Sequence, residues 1–337
     1  MKSFRRWSAL SALVAAPLAL ASAQAQDVSF DGQTITVVVG ARGGSLTVAA
    51  ELVGRHIGKH IPGNPTVINQ QMPGGAHIIA TNHVFNVAEP DGTTILALNP
   101  NVAIAQLAGV EAVQFDVREF NWLGSTGSDG AMFSISAELP YQTWEEFAAT
   151  DQEYVCGTTG PGSNAHDMPL LLMEFADAPI RLVPGYPANS DILLAVERGE
   201  VHCWSALGTT VHRAVDRGSV RALVRGRYPV PGYEDLPVDE ELATSDIGRK
   251  LMSIRGIPLG LGRAFAVPPE TPDEVVTVLR EAFVAMMNDP EFKAEAEQAG
   301  VVVSHIPAEE LEQGFTEVLD QPDEVLEAMK QYIVVGD

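Results

Sequence analysis

Positive charge is what this sequence has least of. Only 21 Lys and Arg stand against 44 Asp and Glu, for a formal net charge of −23. Such a chain repels nucleic acid and anionic lipid, so neither is expected as a partner. It also repels small anions at long range, and any anion site must therefore be local and directional. Cysteine is nearly absent, with only Cys156 and Cys203 in the chain. Two cysteines make no structural zinc site. In an oxidising compartment they either join or remain as buried free thiols, and both lie in apolar stretches that read as strand ends. Beyond the first residues no apolar run approaches the ~18 residues of a membrane span. Low-complexity segments are missing too. With 46% hydrophobic and 19% charged residues the composition is that of a folded protein, and 337 residues suit two lobes better than one.

The first residues carry a pattern of their own. Lys2, Arg5 and Arg6 precede an apolar run from Leu10 to Ala21, and Ala21-Ser22-Ala23 and Ala23-Gln24-Ala25 both fit a small-residue cleavage site. This predicts a cleavable signal peptide over residues 1–25 and a periplasmic location. Its loss removes three positive charges and no acid, taking the net charge from −23 to −26.

Along the rest of the chain, strand and helix patterns alternate. Ile35–Val39 is a β-branched run, and Leu46, Ala49, Ala50, Val53 and Ile57 share one helical face before Pro62-Gly63. Thr66–Ile68, a helix over 76–88 and Thr94–Leu98 follow. This order predicts an α/β fold with a parallel sheet. A second series has strands at 131–136, 154–156, 181–183, 201–205 and 220–224, the last near an edge, with helices at 143–149, 164–175 and 190–198. Residues 226–260, with Pro229, Pro231 and Pro237, read as loop. A strand at 263–267 comes next. Thr271-Pro272-Asp273-Glu274 starts a helix reaching Met287, and helices over 307–319 and 322–332 close the chain.

The chemistry lies in two glycine loops, each after a strand and before a helix: Gly40–Thr47, and Gly160–His166 with Ser163 as N-cap. Such a loop aims free backbone N–H groups and the positive end of a helix dipole at one point, which makes an anion site without a charged side chain. An ordinary tight turn is the alternative for each. Nucleotide binding fits poorly, because Gly40-Ala41-Arg42-Gly43-Gly44 lacks the G-x-G-x-x-G spacing and no P-loop occurs. Ser163 lacks the G-x-S-x-G frame of a hydrolase, and no triad order is visible, so no catalytic residue is assigned. His56 and His60 have a metal-compatible spacing but no third ligand, and are expected to be solvated; no metal or cofactor is expected. Arg42 offers a two-pronged grip for a carboxylate or is a surface arginine. Tyr186, Asn189 and Trp204 fall at or just beyond strand ends, where they line a cleft or, for Trp204, fill a core. Gly75 and Thr126 complete the candidate ligand-binding set.

Taken in order, these segments resemble the Bug/TctC receptors of tripartite tricarboxylate transporters. The carrying pieces are Ile35–Gly40 with Gly43-Gly44-Ser45; Val67-Ile68-Asn69 with Met72-Pro73-Gly74-Gly75; Glu89-Pro90-Asp91-Gly92-Thr93; Gly160-Pro161-Gly162-Ser163 with His166; Pro184-Gly185-Tyr186; and Val267-Pro268-Pro269-Glu270-Thr271-Pro272. The resemblance implies a type II periplasmic-binding fold, two lobes around a Venus-flytrap cleft. One lobe is expected to comprise residues 26–130 plus 262–337 and the other 131–261. It also implies a monomeric solute-binding protein that captures a small organic carboxylate and delivers it to membrane subunits, with ligand contacts at Gly43, Gly44, Ser45, Gly162, Ser163 and His166. A sensor, an ABC-type receptor or a periplasmic hydrolase on the same scaffold are the alternatives. The family often has Asp two residues after the Ser45 position and Arg four beyond that. Thr47 and Glu51 stand there instead, which leaves citrate-like, C4-dicarboxylate and aromatic carboxylate ligands open.

Overall fold

The chain crosses twice between two sheets, and that crossing decides where a site can form. A computed structural model describes residues 28–128, 130–160 and 162–334. The signal-peptide expectation falls on residues 1–25, outside the described residues. In chain order the strands are β1 (Thr34–Val39), β2 (Thr66–Gln71), β3 (Thr94–Leu98), β4 (Asn121–Ser125), β5 (Ala131–Ser136), β6 (Tyr154–Gly157), β7 (Ile180–Val183), β8 (Cys203–Leu207), β9 (Val220–Arg225) and β10 (Ala264–Val267). The helices are α1 (Ser45–His56), α2 (Ile78–Asn86), α3 (Val102–Leu107), α4 (Trp144–Ala148), α5 (Asn164–Phe175), α6 (Asn189–Glu197), α7 (Gly208–Asp216), α8 (Asp246–Leu261), α9 (Asp273–Asn288), α10 (Pro290–Gln298), α11 (Ala308–Leu319) and α12 (Asp323–Met329).

The first sheet has the order β2-β1-β3-β10-β4 and the second β7-β6-β8-β5-β9. Within each, the strands that alternate with helices run parallel. The exceptions are β10 and β5, antiparallel to both of their neighbours. Each is the strand that enters from the other sheet. Ala264 lies beside Leu98 and Ser125, the last residues of β3 and β4. Ala131 likewise lies beside Leu207, the last residue of β8. Both crossings therefore arrive at carboxyl edges, and only residues 126–130 separate the carboxyl edge of one sheet from that of the other. In open α/β sheets such edges are where ligands bind.

The core is continuous on one side of the molecule. Leu96 and Trp122 of the first sheet and Phe133 and Leu223 of the second belong to one buried cluster, bridged by Met252 of α8 and Phe315 of α11. The Trp122 and Phe315 rings stack with centroids 4.4 Å apart. On the other faces the sheets have separate cores, one against α1, α9 and α10 and the other against α6 and α7.

Five elements were not foreseen: α3, β4, α7, α8 and α10. The largest correction is α8, which falls in the stretch expected to be loop. Ser245 caps it, accepting the Gly248 N–H at 3.2 Å. Its hydrophobic stripe is broken by glycines that permit close packing. A Cβ at Gly248 would lie 2.5 Å from Cγ of Phe175 on α5. The prolines at 229, 231 and 237 precede the helix, and Pro258 sits inside it. The expectation for His56 and His60 is also overturned. His56 is buried with Nε2 at 2.5 Å from Glu295, and His60 Nε2 lies 3.1 Å from Asp289, so both pin α1 and its following turn to the α10 region. Cys156 and Cys203 are joined, which answers the question left open above.

Candidate functional site

The first glycine loop leaves β1 at Gly40, where a side chain has no room: a Cβ would meet His77 Nδ1 at 2.8 Å. Gly44, with φ of 89°, turns the chain into α1. Thr47 is buried and its hydroxyl donates back to the Gly43 carbonyl at 3.0 Å, so it braces the loop from behind. Among the described residues, the N–H groups of Gly43, Gly44 and Ser45 meet no acceptor. No acid occupies the first turn of α1, whereas α9, α10, α11 and α12 each carry one or two there. The positive end of the α1 dipole is thus uncompensated. A Cβ built at Gly43 or Gly44 would meet nothing within 4 Å, so the loop borders open space. Arg42 is exposed and pairs with no described residue.

The second loop follows β6 and is bound more tightly to itself. The Thr158 N–H donates to Val183 at 2.9 Å and its carbonyl accepts the Tyr186 N–H at 3.2 Å, tying the loop to the end of β7. Thr159 Oγ1 donates to Ser163 Oγ at 2.6 Å, and Ser163 Oγ donates to the Gly160 carbonyl at 2.7 Å. Ser163 is the N-cap residue of α5 as expected, but its hydroxyl is spent within the loop. Gly160 and Gly162 have φ of 126° and 80° and face open space.

Behind this loop lies a polar network that the sequence did not suggest. Asp167 Oδ1 accepts the Gly162 N–H at 3.0 Å and lies 2.9 Å from His166 Nδ1. Burial pushes the Asp167 carboxyl above the usual carboxylate range, against the opposing pull of His166 and the Gly162 N–H. The expected donor at Gly162 is therefore occupied, and among the described residues the N–H groups of Asn164 and Ala165 meet no acceptor. The buried Arg255 of α8 donates to Asn164 Oδ1 at 2.8 Å and to Asp239 Oδ2 at 2.5 Å. Neither Arg255 nor Asp167 carries a signal readable from spacing, because their partners are brought in by tertiary packing.

The remaining candidates divide. The Tyr186 ring lies against Gly157, whose Cβ would approach it to 3.0 Å, at the carboxyl edge of β6. Asn189 is exposed at the start of α6. Trp204, by contrast, is 0% exposed in the second sheet's core, its indole N–H donating to Asn189 Oδ1 at 3.3 Å, and presents no surface to a cleft. Thr126 is also buried. Its N–H and carbonyl bond Arg263 and Ser304, and its hydroxyl accepts from Arg263 Nε at 3.3 Å, which makes it part of the crossing and not of an open wall. Gly75 is exposed with φ of 54°, in a turn that brings His77 against Gly40. His77 was missed because nothing in its spacing distinguishes it.

One group among the described residues has metal-compatible donors, His56, Asp289 and Glu291, within 4.8 Å of one another. The Lys59 ammonium lies 2.6 Å from each of the two carboxylates, so both are already engaged by a cation. No helix among the described residues is long and apolar enough to cross a membrane.

Three comparisons bear on this geometry. The family described as the tripartite tricarboxylate transporter family receptor, TctC, matches residues 55–330. No curated protein matches. Among solved structures, the periplasmic binding protein BugD is similar at 20% identity and TM-score 0.66, covering 89% of this chain and 97% of its own. MatC from Rhodopseudomonas palustris, solved with malate, gives 19% identity and TM-score 0.65 over 89% of this chain and 98% of its own. A further Rhodopseudomonas palustris protein, solved with adipate, gives 17% identity and TM-score 0.67 over 88% and 98%. At these identities the likenesses establish the fold.

Proposed function

This chain belongs to the tripartite tricarboxylate transporter receptor family, and from that premise we propose that it captures a small organic carboxylate between its two glycine loops and hands it to the transporter's membrane subunits. The observation that carries the reading is the start of α1. Three consecutive N–H groups, Gly43 to Ser45, lack acceptors among the described residues at an uncompensated helix end. In the second sheet, the N–H groups of Asn164 and Ala165, which meet no acceptor among the described residues, open α5 after the carboxyl end of β6. Two such ends contribute about 0.3–2 kcal/mol each, and with several hydrogen bonds in a closed cleft they support a micromolar constant, about −8 kcal/mol.

The ligand-binding residues proposed are Arg42, Gly43, Gly44, Ser45 and Gly75 in one lobe and Gly160, Gly162, Ser163, His166, Tyr186 and Asn189 in the other. Gly162 and Ser163 contribute shape, since their polar groups are engaged internally. The lobes are assigned to residues 26–130 plus 262–337 and to 131–261, with a periplasmic location after signal cleavage. Malate in MatC and adipate in its fellow Rhodopseudomonas structure favour a dicarboxylate over a tricarboxylate. A hydrolase is disfavoured because the Ser163 hydroxyl bonds Thr159 and Gly160 and not His166, so these two residues form no nucleophile–base pair. Thermal-shift titration with malate, adipate and citrate, beside neutral and cationic controls, tests the proposal. At least one carboxylate is expected to raise Tm, and a rise with none of them contradicts it.

A further inference from the structure

The turn before α2 has an unusual backbone. Gly74, Gly75, Ala76 and His77 are consecutive residues with φ of 134°, 54°, 48° and 78°. Two of the four are not glycine, and non-glycine residues in this region are strained. Such strain persists where the surroundings over-determine it, and it often marks a functional site. Here it holds the His77 imidazole against Gly40, over the carboxyl end of β1 and at the mouth of the first loop.

The ring's two nitrogens differ. Nδ1 is buried and has no hydrogen-bond partner. An orphaned buried N–H is rarer than an under-satisfied acceptor, so the proton belongs on Nε2 and the lone pair on Nδ1. Burial lowers the His77 pKa to about 4, which keeps the ring neutral near pH 7. The residue as a whole is partly exposed, and Nε2 bonds no described residue. The result is one uncharged N–H donor held against Gly40, the first residue of the loop that carries Gly43–Ser45.

We propose that His77 is a specificity-determining residue of the first lobe, donating from Nε2 to an oxygen of the bound carboxylate, and that the strained turn exists to aim it. This rests on the receptor reading above. It adds an uncharged side-chain donor at Gly40 to a loop whose other proposed donors are the backbone N–H groups of Gly43–Ser45 and the Arg42 guanidinium.

The test combines calorimetry with malate and adipate and ligand-free thermal unfolding, for the wild type, His77→Gly and His77→Asn. Glycine adopts positive φ freely, so His77→Gly is expected to raise the ligand-free Tm by about 2 °C while weakening carboxylate binding at least tenfold. Asparagine tolerates the left-handed region and keeps a donor, so His77→Asn is expected to recover part of the affinity. Wild-type binding with unchanged affinity in His77→Gly overturns this proposal alone. A fall in the ligand-free Tm of His77→Gly marks the ring as a packing group and overturns it as well. A wild-type protein that binds neither acid overturns the dicarboxylate reading, and the proposal with it.

Discussion

Cys156 and Cys203 stand directly opposite one another in register in the parallel strands β6 and β8, and a disulfide joins them. This is the place where the second sheet's strand order turns, with β7 built outward on one side and β8 on the other. The second glycine loop begins at Gly160, four residues after Cys156, so the disulfide secures the strand from which the loop springs. Its two sulfurs close a loop of sequence separation 47, worth about 4 kcal/mol in the chain-entropy model. Reductant, or Cys156→Ala with Cys203→Ala, is expected to lower stability by about 2–4 kcal/mol and to weaken ligand binding. Unfolding curves with and without reductant check this, and identical curves contradict it.

Arg255 and Asp239 form a fully buried ion pair, and Arg255 also holds Asn164 at the first residue of α5. Removing one partner of such a pair strands the other charge, so Arg255→Ala is expected to cost about 3–5 kcal/mol. Replacing both, as Arg255→Met with Asp239→Leu, is expected to cost less than the single change. Denaturant unfolding of the three variants measures the difference.

His77 predicts a pH dependence. Its folded-state pKa of about 4 lies below the ordinary 6.5, so the unfolded chain takes up the proton first as pH falls. The stability it protects is fully present above pH 6.5 and is lost as pH falls through about 4. The span corresponds to about 3 kcal/mol. His77→Gly lacks this titration, and its stability relative to wild type is expected to improve steadily over that window. A constant difference between the two curves contradicts the assignment.

Gly162 has φ of 80° and faces open space. Gly162→Val places a branched side chain in the cleft and in a backbone region costly for any L-residue. The expected outcome is loss of carboxylate binding by calorimetry with about 1–2 kcal/mol of destabilisation. Unchanged affinity removes the second loop from the site.

What could be read in advance follows from the range of the interactions. The β-branched run Ile35–Val39, the helical stripe of α1 and the glycine punctuation are local signals, and they placed both loops correctly at the starts of helices. The α8 helix was hidden because glycines and Arg255 interrupt its apolar face, and those residues make sense only against α5 and Asp239. Trp204 was ambiguous for the same reason: a strand residue shows its face only once its sheet has partners on both sides. Asp167 and His77 were invisible as site elements because their roles depend on which backbone atom they touch. The histidines at 56 and 60 had suggested solvent, and the acids that hold them lie more than two hundred residues away in sequence.

The central claim is that both loops hold one guest. The most direct measurement is a crystal structure of the protein with malate or adipate bound. The account predicts carboxylate oxygens within about 3 Å of the Ser45 N–H and, in the same molecule, of the Asn164 or Ala165 N–H. A ligand seated against one loop alone, or away from the edges joined by residues 126–130, would contradict it.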